Sequence, residues 1–302
     1  MHVRFPGDWR VTLLAQTLVN GLLIGGLYVT ISIGFSLAFG VLDVVDLAVG
    51  EWVMLGAFAG VGSQSWFHVD PFAALPVVFL LFAAVGALIA PLIYRVRTSR
   101  YARPALMALA FTFGVATVAR GTMLTAVGFD PRTVHTGFAN GTLSVVGLEI
   151  PGLRLAGFVF AVVATGVFIG FLYFTRTGLA IRATAQDKAN AGLMGVDVKR
   201  ISTLVYCIYA GLTGMAGVLI GAIYAVTAQI GPQYALLAFF VVVVAGLGSV
   251  LGVLVAGLIL GVLQALVTVY VGPSYTLGIV FAVLFLILLV APRGILGRGM
   301  AV

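Results

Sequence analysis

Charge is what this sequence lacks most. Only 8% of its 302 residues are Asp, Glu, Lys or Arg, against about 25% in soluble domains, while 62% are apolar. A water-soluble fold of this length needs a large polar surface that the chain cannot supply, so most of it is solvated by lipid. Cysteine is nearly absent: the lone Cys207 excludes an internal disulfide and a Cys-cluster metal centre. The three histidines, His2, His68 and His135, stand too far apart for metal-ligand spacing. Neither a Gly-x-x-x-x-Gly-Lys-Ser/Thr phosphate loop nor a Gly-x-Ser-x-Gly nucleophile elbow occurs. The chain therefore reads as no enzyme, with no catalytic residue, no metal and no cofactor of its own.

What is abundant is apolar sequence in long runs: 11–39, 44–62, 72–94, 105–128, 155–174, 201–225, 234–247, 250–271 and 275–291. A membrane-crossing helix takes about 20 apolar residues. The pattern predicts an all-α polytopic membrane protein of about eight to nine transmembrane helices, at least one short or broken, in a single membrane domain over 1–302. The first run is too long for the apolar region of a signal peptide and lacks a small-residue cleavage site before a polar start. No ten-residue alternating pattern recurs, which disfavours a β-barrel.

The basic residues orient the bundle. Arg95, Arg97, Arg100 and Arg103 cluster between the third and fourth runs; Arg176, Arg182, Lys188, Lys199 and Arg200 between the fifth and sixth; Arg293 and Arg298 follow the last. The positive-inside rule makes these segments, 95–103, 175–200 and 293–302, cytoplasmic. Linkers 63–71, 129–154, 226–233 and 272–274 then fall outside. Arg4 and Arg10 favour an inside N-terminus, which would force a re-entrant segment or two short passes within 11–62. The formal net charge of +7 is thus explained by topology and membrane lipid, and nucleic acid is not expected as a partner. Arg120, within the fourth run, is expected to snorkel toward the outer surface.

Glycine is plentiful, at 39 residues. Pairs four apart, such as Gly21 and Gly25, Gly217 and Gly221, or Gly257 and Gly261, let helices approach closely in lipid. A second reading, a helix break that turns free backbone toward an aqueous path, applies to Gly25-Gly26 and to Ala245-Gly-Leu-Gly248.

Asp43, Asp46 and Glu51 lie between the first two runs with no Lys or Arg nearby in sequence. Acids beside the membrane are costly unless they reach water or a cavity. They mark either a wet turn between helices or a break beside a translocation path. On the second reading Asp46 and Glu51 belong near the path, as does Gln264. A proton-coupling role is weaker, because no intramembrane basic partner is visible.

Segment 176–200 is polar, Ala-rich and flanked by membrane runs. Residues 179–194 predict a short helix, Gly195 its C-cap and Asp197 the N-cap of the next helix. Such a helix suits docking on a cytoplasmic motor. Ala183, Ala185, Ala189 and Ala191 keep it slim, and Arg182, Asp187 and Lys188 place polar groups at its rim. A bulky Trp at Ala185 is expected to block docking, and Val at Gly195 to be strained if that residue has positive φ.

Arg182-Ala-x-Ala-x-Asp187, followed by Ala191 and Gly195-Val-Asp197-x-x-Arg200, resembles the coupling segment of the branched-chain amino-acid ABC transporter permease family. Asn20 to Tyr28 resembles the family's first helix, and Gly40 to Gly56 its acidic Asn-Leu-Ala-His-Gly-Glu stretch, with Asp46 where Asn is usual and Val49 where His is usual. Ala210 to Leu219 and Gly246 to Gly257 resemble its C-terminal half. The resemblance implies a multi-pass subunit of an ATP-driven importer in the bacterial inner membrane. Its implied partners are cytoplasmic ABC ATPase subunits, a second permease subunit in a homo- or heterodimer, and a periplasmic or lipid-anchored substrate-binding protein. The implied cargo is branched-chain or other amino acids; urea or short amides, or a different class altogether, an ion-coupled secondary transporter, remain the alternatives.

Overall fold

A computed structural model describes residues 9–99, 103–133, 136, 141–145, 148–291 and 294. Arg4, Arg100, His2, His135, Arg293 and Arg298, with most of segment 293–302, lie outside the described residues. Each of the nine apolar runs forms a helix: α1 (Trp9–Leu42), α2 (Val49–Phe67), α3 (Pro71–Arg97), α4 (Pro104–Val127), α5 (Gly152–Phe174), α8 (Val198–Ile223), α9 (Gly231–Ala245), α10 (Val250–Tyr270) and α11 (Thr276–Val290). Between α5 and α8 lie two short helices, α6 (Arg176–Gln186) and α7 (Lys188–Leu193). The 129–154 linker carries an antiparallel hairpin, β1 (Thr142–Val145) with β2 (Leu148–Pro151), which apolar patterning does not indicate.

Among the described residues seven helices are long and apolar enough to span a bilayer, and α9 is a shorter apolar helix. Two of the nine, α2 and α9, fall outside these seven, and α9, at 15 residues, is the short element expected from sequence. The chain is an all-α polytopic membrane protein.

Helix boundaries follow local chemistry. Asp70 accepts a hydrogen bond from Phe72 N at 2.9 Å and Pro71 opens α3, satisfying an end that has no intrahelical partners. Thr175 caps α6, Asp197 caps α8 and Ser249 caps α10 in the same manner.

At the centre stand α1 and α8, whose most apolar windows are 83% and 78% buried; the corresponding windows of α4 and the C-terminal helix are 17% buried. Small residues make the central contacts possible. Gly21 and Gly25 of α1 face the backbone of Gly261 and Gly257 of α10, so the paired glycine spacing serves close packing, as it does in other lipid-embedded helices. Gly25-Gly26 lies within an unbroken α1, with Gly26 against Phe158. The Ala245–Gly248 reading differs: α9 stops at Ala245, and Gly246 and Gly248 have φ of 91° and 87°.

The direction of α1 corrects the sequence expectation. Gln16 accepts a hydrogen bond from Glu149 N at 2.9 Å, while Asp43, just past its other end, pairs with Arg97 and Lys188. Helix α1 thus starts on the face of the 129–154 linker and ends on the face that carries Arg97 and Lys188. If the positive-inside rule makes that basic face cytoplasmic, the start of α1 lies outside, opposite to what Arg4 and Arg10 alone favour. The passes within 11–62 are one long helix and α2. In a Cys207→Ser background, cysteine at Gln16 is expected to react with an impermeant maleimide from outside, and cysteine at Lys188 only in inverted vesicles. Labelling of position 188 exclusively from outside would overturn this topology.

Candidate functional site

The connection 43–48 divides the three acids by environment. Asp43 sits just beyond α1 with φ 53°, a left-handed conformation costing a non-glycine residue about 1–2 kcal/mol. It is half exposed, with Lys188 Nζ 2.6 Å and Arg97 Nη2 3.7 Å from its Oδ2. Asp43 therefore belongs to a wet turn on the basic face. Asp46 is buried at 3% exposure. Its Oδ1 accepts from Ala48 N at 2.8 Å, ahead of α2, and its Oδ2 accepts from Tyr206 Oη at 2.7 Å. Thr112 of α4 holds the same connection by donating to Val45 O and accepting from Leu47 N, both at 3.3 Å.

Glu51, also buried, lies in the first turn of α2. Its Oε1 accepts from Arg120 Nε at 3.0 Å and from the Nη2 of the same guanidinium. The expectation that Arg120 snorkels outward is overturned, as is the apparent lack of a basic partner for these acids: an ion pair formed inside the bundle gives both charges what lipid cannot. The other carboxylate oxygen, Oε2, has no hydrogen-bond partner among the described residues and packs against Gly231 at the start of α9, where the helix dipole favours negative charge. Gly50 meets the same turn from the other side, against the Gly231 carbonyl and Ala235 N. The N-terminal ends of α2 and α9 are thus in backbone contact around a buried carboxylate.

A cavity of about 630 Å³ opens beside them, toward the face that carries Gln16 and Arg154. Tyr28, Tyr224, Tyr234 and Gln264 give it a polar, aromatic wall. Tyr28 Oη donates to Gln264 Oε1 at 2.6 Å. Of the three residues assigned to a path from sequence, Gln264 lines this cavity. Asp46 and Glu51 do not; Glu51 stands behind its wall, against the turn between Ile230 and Tyr234.

The cytoplasmic segment departs from the expected single helix. It breaks at Asp187, whose carboxylate caps α7 by accepting from Ala189 N at 2.8 Å and Asn190 N at 3.0 Å. Gly195 has φ 86° and Asp197 caps α8, both as expected. Arg200 pairs with Asp197 across one turn. Arg182 stacks over the Tyr173 ring at 4.7 Å and Lys188 is engaged with Asp43, so both hold the segment to its own bundle. Ala191 is buried and Ala183 and Ala185 are half buried, Ala185 against the core. Of the four alanines expected to keep the segment slim, Ala183, Ala185 and Ala191 lie against the bundle and Ala189 is exposed. Leu193 and Met194 are apolar side chains left open, at 84% and 86% exposure.

Arg120, Tyr206, Gly231 and Tyr28 escaped the sequence reading. A lone arginine within an apolar run does carry a signal, since such charges are usually paired; the two tyrosines carry none.

Against known proteins, the model of a family described as branched-chain amino acid transport system / permease component matches residues 17–289. The chain belongs to this family. It is 31% identical over 299 residues to the high-affinity branched-chain amino acid transport system permease protein LivH of Escherichia coli, across 94% of this chain and 95% of that one. It is 29% identical over 294 residues to the corresponding protein BraD of Pseudomonas aeruginosa, with the same coverage. The ribose import permease protein RbsC of Haemophilus influenzae is 28% identical over 276 residues, 86% of this chain and 77% of that one. No solved structure matches. The chain is a transport permease rather than an enzyme, and a multi-pass protein of the inner membrane.

Proposed function

We propose that this permease is the transmembrane subunit of an ATP-binding-cassette importer that moves branched-chain or other amino acids into the cell. The observation that carries the reading is the cytoplasmic segment 176–200: two capped helices held on the basic face by Lys188 and Arg182, with Leu193 and Met194 projecting into water. Exposed apolar side chains on an otherwise polar segment mark a contact surface. The contact is with cytoplasmic ATPase subunits, since the chain has no phosphate loop. Gly195 and Asp197 set the turn that returns the chain to the membrane. Arg182, Asp187, Lys188 and Arg200 shape the segment, and Leu193 and Met194 make the contact.

Leu193→Asp with Met194→Asp is expected to leave membrane insertion unchanged and to reduce co-purification with the ATPase roughly tenfold, the loss of about 1.4 kcal/mol of contact. Undiminished association would overturn the assignment. Ala185→Trp is the less informative variant, because Ala185 packs against the bundle itself.

On the outer face, the 630 Å³ cavity is the mouth of the path, with the Tyr28–Gln264 pair among its mostly uncharged polar groups and the α2–α9 junction behind it. A path so poor in charge discriminates little between cargoes, so selection rests on a separate substrate-binding protein, periplasmic or lipid-anchored. A second copy of the permease or a related subunit completes the path across the exposed faces of the outer helices. Uptake in proteoliposomes holding permease and ATPase is expected to need the binding protein.

The Glu51–Arg120 pair favours a second reading, an ion-coupled secondary transporter, by providing the intramembrane acid–base partners such a protein uses. Uptake driven by a proton or sodium gradient without the ATPase distinguishes it.

A further inference from the structure

We propose that Asp43 is a positioning residue that conveys movement of the 176–200 segment to the acidic connection 43–48. This rests on the reading of that segment as the ATPase contact. The geometry joins three elements at one carboxylate. Lys188, the first residue of α7, donates from Nζ to Asp43 Oδ2 at 2.6 Å. Arg97, the last residue of α3, places Nη2 3.7 Å from the same oxygen and donates from Nε to the Asp43 carbonyl at 3.4 Å. The docking segment is thus tied to the turn after α1 by a side-chain bond, while Arg97 holds the backbone of that turn in its left-handed conformation (φ 53°).

The chain just beyond Asp43 has little freedom to absorb a displacement. Val44, Asp46 and Ala48 are buried. Asp46 is bonded to Tyr206 of α8 and to the Ala48 amide of its own chain, and Thr112 of α4 grips Val45 and Leu47. Three residues beyond Ala48, Glu51 carries the ion pair with Arg120 and the contact with α9. A pull on Asp43 is therefore passed along a packed connection to the junction of α2 and α9 rather than dissipated in a loose loop. Packed elements with discrete arrangements are the physical means by which distant sites are coupled. The pair does not earn its place through stability, because ion pairs exposed to this degree contribute little. What it provides is a side-chain link from the docking segment to the connection 43–48.

The test uses the full permease–ATPase complex in a Cys207→Ser background with cysteine in place of Leu47, whose maleimide reactivity reports the connection and requires no knowledge of the cargo. ATP with vanadate is expected to change the labelling rate roughly fivefold or more, within the usual range of allosteric coupling. Asp43→Asn is expected to bind the ATPase as the parent does and to lose that nucleotide response. Lys188→Gln, which removes the other member of the same bond and leaves Asp43 its Arg97 contacts, is expected to lose the response to the same degree, and Asp43→Glu, which keeps the charge, to retain part of it. An undiminished response in Asp43→Asn or in Lys188→Gln, a parallel loss of ATPase association, or an Asp43→Glu variant no better than Asp43→Asn would each overturn the proposal. Retained ATPase association in the Leu193→Asp, Met194→Asp variant would instead overturn the docking assignment, and this coupling with it.

Discussion

Valine in place of Gly50 is expected to abolish assembly of the folded permease. A Cβ at this position falls within the van der Waals envelope of the Gly231 carbonyl and close to Ala235 N, both backbone atoms that no rotamer change can move. Overpacking a core costs about 1–3 kcal/mol when side chains can adjust; here α2 and α9 must separate, so the cost lies at or above the top of that range. The loss is read as the thermal midpoint of detergent-solubilised protein and as yield in the membrane fraction. Gly231→Ala provides the contrast. Its Cβ meets the Glu51 carboxylate rather than backbone, so it is expected to fold but to displace Glu51 from Arg120. A Gly50→Val protein with parental stability would mean that the two helix starts do not touch.

Removing Arg120 is the second large effect expected. Glu51 is buried, with a side-chain exposure of 3%, and Arg120 is its partner through Nε and Nη2. Deleting one member of a buried pair strands the other and typically costs about 3–5 kcal/mol. Because the Arg120 side chain keeps 37% of its exposure, Arg120→Ala is expected near the low end, at about 3 kcal/mol. The combined Glu51→Gln and Arg120→Gln variant leaves no stranded charge and is expected to recover most of the stability. Thermal unfolding of the three proteins in one detergent measures this, and parental stability in Arg120→Ala would refute the pairing. Transport by the double variant then separates structure from mechanism: recovered folding without recovered uptake assigns the pair a part in the path.

Leu193→Asp with Met194→Asp and Asp43→Asn complement these tests, since both leave the membrane interior untouched. The first two experiments probe the α2–α9 junction behind the outer cavity, and the last two the proposed ATPase contact and its link to the connection 43–48.

Membrane class, the nine helical runs and the polar helical segment at 176–200 were legible from composition and spacing, because lipid imposes long apolar helices and leaves polar stretches to the connections between them. Gly195 and Asp197 were legible as punctuation for a local reason: a residue with positive φ and an N-cap depend on a few neighbouring backbone atoms. The break at Asp187 was missed although the same chemistry produces it, since an Asp within an Ala-rich stretch is equally at home on a solvated helix face.

Residue type read in short windows was enough to tell how much of the chain lies in lipid, where most helices begin and end, and that the chain carries no phosphate loop. The work of the buried charges was fixed by helix packing instead. Glu51 and Arg120 are 69 residues apart, Asp46 and Tyr206 160, and Asp43 and Lys188 145. No local rule selects such partners; the packed bundle does, through close approaches such as those at Gly25, Gly50 and Gly257. The burial of Ala191 and the exposure of Leu193 and Met194 were settled in the same way. A short segment's own periodicity says little about which side it lays on the bundle.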